Sequence, residues 1–385
     1  MLAIISLSLA LWVGLILFHN RFWLCDQRLP ALQRGMDTPD VIAIVPARNE
    51  AETIGRCATS ILSQDYDGAI HLIVVNDSSS DETAELARLA ITQAPHTGEV
   101  LDAKPLEPGW SGKLWALNQG VAKAGAVAPY LWFSDADIEH GPDVLARLVE
   151  KAEQEDRGLV SLMVRLRAKT WLEKLVVPAF VFFFQKLYPF PAINNPSSRF
   201  AGAAGGCVLL KHKALQDIGG IAAIKDRLID DCALGIAVKR AGHSIWLGHG
   251  EDSFSLRGYD DFASLSQMVT RTAFAQLGYS NILLALTVLG MAVIYLAPPF
   301  ALLWALWVKA YGLAILSSAA WFLMTIAYMP TVRLYKLSPL WAIFLPITAA
   351  LFEFFTLKSA FVHWQGGHTG WKGRDYASSG DKLEI

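Results

Sequence analysis

Two acidic residues, one position apart, directly follow an apolar segment in the stretch from Leu131 to Asp137. An apolar segment that ends in charge is typical of a buried strand that reaches the rim of a parallel sheet, where open α/β sheets bind ligands. Asp135 and Asp137 would repel each other there, and a hard cation such as Mg²⁺ or Mn²⁺ would neutralise them and carry phosphate. The alternative interpretation is a strand-end turn in which Asp137 caps a helix at Pro142.

Polar residues also follow two earlier apolar segments, at residues 41–45 and 72–75. Glu50 comes after the first and Asp77 after the second, and because parallel strands end at the same edge of a sheet, we expect both beside Asp135. Asp77 could accept a hydrogen bond from a nucleobase imide, and Glu50 could accept hydrogen bonds from ribose hydroxyls. Taken singly, Asp77 is equally typical of an Asx turn, and Glu50 of a first helical turn.

Two further segments place charge at the start of a helix. A glycine-flanked loop, Gly109 to Gly112, precedes a helix that begins near Lys113, where backbone N–H groups and the ammonium could bind phosphate or sugar. A solvated lysine is the alternative, and it is favoured when Lys113 is considered alone. Asp230 and Asp231 begin another helical pattern, and we interpret Asp230 as its N-cap.

Strands alternate with helices over this part of the chain. Apolar residues at helical spacing predict helices at 53–64, 82–94 and 113–124, with another from Pro142. Apolar segments rich in β-branched residues predict the intervening strands, including one at 159–166 and a short one at 245–247. This order predicts a mostly parallel sheet with flanking helices in a three-layer α/β domain.

The composition indicates a membrane protein with a large soluble part. The 385 residues are 53% hydrophobic and 18% charged, and the apolar residues concentrate at 1–18 and beyond 281. A formal net charge of -2 gives no reason to expect a nucleic acid partner. The four cysteines show neither a zinc-binding spacing nor a disulfide framework, which is consistent with a reducing cytosolic environment.

The first apolar stretch, Met1 to Phe18, is predicted to be a membrane anchor. Arginines on its C-terminal side orient the N-terminus outside and the catalytic part in the cytoplasm. Residues 281–330 are long enough for two spans of about 20 residues each. A third candidate, 339–359, would place the tail outside, whereas Lys358, Lys372 and Arg374 favour an inside tail. The sequence leaves three possibilities: the last segment re-enters, it lies in the interface, or the tail is external.

The predicted organisation has five parts, and one segment of the α/β part is expected to face the membrane. Residues 170–190 combine apolar residues with spaced lysines, which suits an interfacial segment, although a core helix under the sheet is about equally compatible with the composition. The parts are an anchor (1–24), a catalytic α/β domain (36–255) that includes this segment, an amphipathic connector (256–280), a membrane region of two to three helices (281–362) and a polar tail (363–385).

Several of these segments, taken in order, resemble the motifs of the family 2 inverting glycosyltransferases with the GT-A fold. The segments are Pro46 to Glu50, Val75 to Asp81, Gly112 to Asn118, Asp135 to Asp137, and Asp230 with Asp231. The membrane arrangement and the closing stretch from Trp371 to Tyr376 are more similar to the hopene-associated glycosyltransferases, relatives of ceramide glucosyltransferases.

The resemblance implies a role for each site residue. Glu50 and Asp77 would bind the nucleoside of a nucleotide-sugar donor, and Lys113 would lie near that donor. The metal-bound diphosphate would be held by Asp135 and Asp137. Asp231 would be the general base. The Q-x-x-R-W motif of processive relatives is absent, since Gln267 and Arg271 are four apart and Thr272 follows, so single transfer is expected.

Together these features predict a membrane-bound glycosyltransferase that moves a sugar, expected to be UDP-linked, to a lipid hydroxyl, with a hopanoid or another glycolipid precursor implied by the resemblance. Two alternatives stay open. Polyprenyl phosphate could be the acceptor, which is already anionic and would need basic groups rather than a base. The chain could also be a non-catalytic scaffold in the membrane that binds a nucleotide.

Overall fold

The computed structural model describes residues 1–33 and 38–366, and the backbone of two short strands at Gly370–Trp371 and Arg374–Asp375. Several residues used in the predictions lie outside the described residues. They are Arg34, one of the arginines that follow the first apolar stretch, Lys372, and the rest of the closing motif and polar tail.

Eight strands form one mixed sheet, in the order β3-β2-β1-β4-β7-β6-β8-β5. Strand β7 is antiparallel to both neighbours and β5 is antiparallel to β8, while the other pairs are parallel. The strands are β1 Val41–Ala47, β2 Ile70–Asn76, β3 Thr97–Asp102, β4 Tyr130–Ser134, β5 Ile138–His140, β6 Arg157–Arg165, β7 Cys207–Lys211 and β8 Ser244–Ser255. The predicted α/β sheet is confirmed, with β3, β5 and β7 not foreseen and β8 longer than expected.

Helices cover both faces of this sheet. The helices of the soluble part are α2 Ile54–Leu62, α3 Thr83–Thr92, α4 Gly112–Ala124, α5 Val144–Gln154, α6 Trp171–Leu187, α7 Phe190–Asn194, α8 His212–Asp217, α9 Asp230–Arg240 and α10 Phe262–Gln276. One core cluster joins the sheet to α2 and α5 through residues such as Ile54 and Leu148. The other joins it to α4 and α6 and continues into the membrane helices, so the two parts share one core.

Three C-terminal segments are long and apolar enough to cross a bilayer: Asn281–Trp307, Tyr311–Leu334 and Pro339–Trp364. The first consists of α11 Asn281–Met291, a π-helical turn at Ala292–Leu296 and α12 Ala297–Trp307. The second is α13 Tyr311–Leu334, and the third is a 3-10 helix at Pro339–Phe344 followed by α14 Leu345–Trp364. The N-terminal helix, α1 Leu2–Phe18, is apolar but shorter. The predicted C-terminal apolar helices are therefore confirmed.

The N-terminal helix is fixed to the first of these segments where that segment is irregular. Pro298 has no N–H, so the Ile294 carbonyl four residues earlier lacks its helical donor. The indole Nε1 of Trp12 donates to this carbonyl at 2.9 Å, and the Trp12 ring meets Tyr295 edge-on at 5.4 Å between centroids. Trp12 is completely buried. A side chain of α1 thus satisfies a backbone group that the proline leaves unpaired.

Helix α6 lies between the sheet and the membrane helices. It begins with a capping box, in which Thr170 accepts from the Glu173 backbone N–H and the Glu173 carboxylate accepts from the Thr170 N–H. Farther along, Phe182 packs against Tyr328 of α13, with ring centroids 5.2 Å apart. Most of the apolar face of α6 is therefore buried inside the protein, and its placement at a lipid surface stays a prediction.

Candidate active site

The ends of β1 and β2 carry two loops that are bonded to each other. Ala47 is aligned with Asn76 at the end of the pairing between these strands, so both loops leave the sheet at one level. Asn49 adopts a left-handed conformation with φ of 51°, from which its backbone N–H donates to Ser79 Oγ at 3.1 Å. Its side-chain oxygen accepts from the Ser80 N–H at 2.9 Å. The loops that carry Glu50 and Asp77 consequently form one unit at the sheet edge.

Asp77 is completely buried at this edge. The Arg48 guanidinium lies over it, with Nη1 at 3.9 Å from Asp77 Oδ2 and at 2.6 Å from the Asp77 carbonyl oxygen, to which it donates. Because the Asp77 carboxylate is completely buried, a nucleobase could reach it only if neighbouring groups, Arg48 among them, shift. The structure places Asp77 where the sequence predicted, with a covering cation that the sequence did not reveal.

Lys113 connects the end of β4 with the start of α9. Its Nζ lies 2.7 Å from Asp135 Oδ1 and 3.5 Å from Asp230 Oδ2. Ser111 caps α4 by accepting from the Leu114 N–H, which fixes the helix start that carries Lys113. Burial alone would lower the pKa of Lys113, but the neighbouring carboxylates raise it above its ordinary value, so the side chain is a permanent cation.

Arg257 was missed by the sequence analysis, although it joins two predicted site residues. Its Nη2 lies 2.7 Å from Glu50 Oε1, and its Nε lies 3.0 Å from Asp137 Oδ2. Burial, followed by the nearby charge of Asp135, raises the pKa of Asp137 to about 6, with Arg257 acting in the opposite direction. The sequence feature that could have identified Arg257 is its position as a basic residue two positions after β8, at the rim of the sheet.

Asp231 lies on the other side of Lys113, in the first turn of α9. Its Oδ2 accepts from the Gly205 N–H at 3.0 Å, and its Oδ1 accepts from the Cys232 N–H at 2.8 Å. A Cβ at position 205 would lie 3.4 Å from both Lys113 Nζ and Asp231 Cβ, which is ordinary van der Waals contact, so the backbone at Gly205 runs close to both side chains. Burial, followed by the charge of Asp230, raises the pKa of Asp231 to about 6.

The prediction that Asp230 is the N-cap of α9 is wrong. The N-cap is Ile229, which makes no side-chain capping bond, and Asp230 is the first helical residue. Its carboxylate is directed to Lys113 instead. The attraction of the partly buried Lys113 ammonium, which lies far away in the sequence, replaces the local backbone N–H groups from which a capping aspartate would accept.

The donor atoms at the end of β4 are compatible with a hard divalent cation. Asp135 and Asp137 supply carboxylate oxygens, the ligands that Mg²⁺ and Mn²⁺ prefer. Within residues 1–33 and 38–366, no group of three or more histidines, cysteines and acids is arranged to hold an ion. The protein therefore fits such an ion only if phosphate oxygens or water complete its coordination, as is usual for Mg²⁺ bound with a nucleotide.

Comparison with known proteins agrees with this geometry. Residues 42–219 match the family described as glycosyl transferase family 2. Together with the relatives that follow, this match shows that the chain is a glycosyltransferase. It is 26% identical over 271 residues to the 4,4'-diaponeurosporenoate glycosyltransferase of Staphylococcus aureus (strain USA300), covering 70% of this chain and 68% of that protein. The corresponding enzyme of the bovine strain RF122 / ET3-1 is 31% identical over 161 residues, which are 41% of this chain and 39% of that protein.

Among solved structures, the glycosyltransferase resembles the mannosyltransferase PcManGT from Pyrobaculum calidifontis, determined in complex with GDP-Man and Mn²⁺. The TM-score is 0.56 at 19% sequence identity, and the match covers 95% of this chain and 99% of that one. The likeness therefore extends over the membrane helices as well as the sheet. It confirms the predicted GT-A type architecture.

Proposed function

We propose that this enzyme transfers a sugar from a nucleotide sugar, in the first instance a UDP-sugar, to a lipid hydroxyl with inversion at the anomeric carbon. The observation that carries the proposal is the position of Asp231. Its carboxylate lies beside Lys113, whose ammonium also pairs with Asp135 of the predicted metal pair. A group that can accept a proton therefore lies next to the residues assigned to the donor's diphosphate, at the same edge of the sheet.

The donor would lie across the ends of β1, β2 and β4. Glu50 and Asp77 are assigned to ribose and base, and Lys113 to the diphosphate. Asp135 and Asp137 would hold Mg²⁺ or Mn²⁺, which when bound offsets the negative charge that develops on the departing nucleoside diphosphate. The complex of PcManGT with GDP-Man and Mn²⁺ supports this pairing of metal and nucleotide.

Asp231 would remove the proton of the attacking hydroxyl. Its raised pKa, about 6, keeps it mostly ionised at neutral pH while making it a stronger base than an exposed aspartate. A neutral hydroxyl also suits the site better than polyprenyl phosphate does, because Asp230 and Asp231 would repel a phosphate. If polyprenyl phosphate is the acceptor, activity should survive the loss of Asp231.

The lipid acceptor is supported by the core that the catalytic domain shares with the membrane helices, and by the S. aureus relatives, whose name specifies 4,4'-diaponeurosporenoate. A hopanoid acceptor rests on the sequence resemblance. To test the function, membranes containing the enzyme would be incubated with labelled nucleotide sugars and Mn²⁺, and the labelled lipids extracted and identified. Labelled lipid from one donor is expected; binding of nucleotide without turnover of any donor would favour the scaffold alternative.

We also propose that the enzyme is a multi-pass protein of the cell membrane, with its catalytic domain in the cytoplasm and the segment Pro339–Trp364 forming a re-entrant hairpin. The end of α13 meets the catalytic part, since Gln185 Nε2 of α6 lies 3.4 Å from Thr331 Oγ1. The hairpin then turns back along α13, where Trp321 Nε1 donates to the Ile343 carbonyl at 3.1 Å. Trp321 precedes Leu334 by 13 residues, or about 20 Å of helix.

The returning arm, α14, ends beside the catalytic domain. It runs alongside α10, with Lys358 Nζ at 2.9 Å from Ser266 Oγ and Ser359 Oγ donating to the Thr270 carbonyl at 2.6 Å. Helix α10 is held to the catalytic side at its far end, where Tyr188 Oη and Gln276 are hydrogen-bonded. Both ends of the hairpin therefore lie on one side, which accounts for the basic residues that favour an inside tail.

Alkaline phosphatase fusions would test this topology, because that reporter is active only outside the cytoplasm. Fusion after the final residue should be inactive, and fusion at Lys309, in the loop between α12 and α13, should be active. An active C-terminal fusion would show that the last segment crosses the membrane. Activity at neither position would contradict the proposed orientation as a whole.

A further inference from the structure

Arg257 fills the space between two subsites of the proposed donor site. Its guanidinium contacts Glu50, assigned to the ribose, and Asp137, assigned to the metal, at 2.7 and 3.0 Å. The two carboxylates come from loops after β1 and β4, and Arg257 comes from the segment after β8. One side chain thus links the segments that follow three strands. It also pairs with one carboxylate oxygen in each of the two subsites.

The two carboxylates of the metal pair each have one cationic partner. Lys113 neutralises Asp135, and Arg257 neutralises Asp137. A divalent ion that enters alone would displace Lys113 from Asp135 and Arg257 from Asp137. The ammonium would keep its longer contact with Asp230 and the guanidinium its contact with Glu50, with no new anion for either. A divalent ion that enters with a diphosphate brings two further negative charges, which the released ammonium and guanidinium could bind. The local charge is then conserved only when the ion and the diphosphate arrive together.

We propose that Arg257 is a displaceable clamp that couples metal binding to donor binding; this rests on the proposed function of the site. In the free enzyme it holds Glu50 and Asp137. When the donor binds, the guanidinium leaves both carboxylates together, freeing one for the ribose hydroxyls and the other for the ion, and pairs with the diphosphate. Arginine suits this role because its planar fork binds carboxylates and phosphates alike and stays charged. The side chain is 41% exposed, so it has room to move.

The test measures Mn²⁺ binding without catalysis, by the paramagnetic resonance signal of free Mn²⁺ titrated into purified enzyme with and without UDP. In the wild type, UDP should strengthen Mn²⁺ binding by a factor within the usual range of coupled sites, roughly 5- to 150-fold. Arg257→Ala should bind Mn²⁺ alone more tightly than the wild type, because the competing cation is gone. The enhancement by UDP should then be smaller than in the wild type.

A matched control is Arg165→Ala, which removes the same charge from a guanidinium that stacks over Phe254 of β8 at 4.3 Å. This variant should behave as the wild type. If Arg257→Ala does not fold, Arg257→Gln keeps most of the side-chain volume and makes the same predictions. Unchanged or weaker Mn²⁺ binding without UDP in the Arg257 variant would overturn the clamp. Absence of both UDP and Mn²⁺ binding in the wild type would instead overturn the proposed donor site.

Discussion

Replacing Asp231 by asparagine tests the proposed base most directly. The change keeps the size of the side chain but removes the group that accepts the proton, so transfer should fall by about 10² to 10⁴. Donor binding should persist, because Lys113 keeps its contact with Asp135 at 2.7 Å. The amide has one acceptor oxygen, whereas the carboxylate serves the Gly205 and Cys232 N–H groups. One N–H loses its partner, which should reduce the free energy of unfolding by about 1–3 kcal/mol.

Asp230→Asn is the matched control. It weakens a contact of 3.5 Å to Lys113 that is partly open to solvent, so the rate at neutral pH should change by less than about tenfold. The pH profile distinguishes the two variants further. Protonation of Asp231 should reduce wild-type activity as the pH falls through about 6. Because the Asp230 charge contributes to that raised pKa, Asp230→Asn should move this acid limb to lower pH. The pKa of Asp137 is also about 6, so the profiles are compared at saturating Mn²⁺, which holds Asp137 ionised; Asp231→Asn should then abolish the limb.

The measurements are isothermal titration with the donor, a lipid-transfer assay from pH 5 to 8, and thermal unfolding of both variants. Three results would refute the assignment: an equal loss of transfer in the two variants, a loss of donor binding in Asp231→Asn, or an unchanged acid limb in that variant. Any of them would indicate that Asp231 supports the loop at Gly205 rather than the chemistry.

Three further predictions concern other parts of the molecule. Asp135→Ala and Asp137→Ala should each abolish transfer without unfolding the protein, and activity that persists in EDTA would contradict the metal assignment. Asp77→Asn should raise the donor dissociation constant roughly 10- to 100-fold, equivalent to one or two hydrogen bonds, and titration with UDP would reveal whether it does. Trp12→Phe should leave the Ile294 carbonyl with only the longer contact from Ser8 Oγ, at 3.4 Å, and lower stability by about 1 kcal/mol, which thermal unfolding in detergent can detect.

The edge that carries the donor residues could be predicted because it depends on local patterns. Strands β1, β2 and β4 are short apolar segments, and parallel strands end together, so Glu50, Asp77 and Asp135 were expected to be neighbours. The membrane segments could be predicted equally well, since their length and hydropathy define them. These features need no knowledge of contacts that are distant in the sequence.

The features that could not be predicted depend on distant pairing. Strand β7 is a five-residue segment whose place is determined by β4 and β6 on either side. The second half of β8 is polar, and its pairing with β5 at Ser253 to Ser255 makes it a strand. Arg257 lies 207 residues from Glu50 in sequence. Its ion pairs follow from tertiary structure, and no spacing rule brings those residues together.

The bond between Trp12 and the Ile294 carbonyl has a consequence for how the enzyme is made. The two residues are 282 positions apart, so α1 leaves the ribosome long before its partner exists. At about 5–20 residues per second, the interval is roughly 15 to 55 seconds. Throughout that time the catalytic domain can fold, while the indole N–H of α1 lacks its partner carbonyl. The first helix to be synthesised is thus among the last to reach its final packing, because α1 can dock only once the irregular turn before Pro298 has been made.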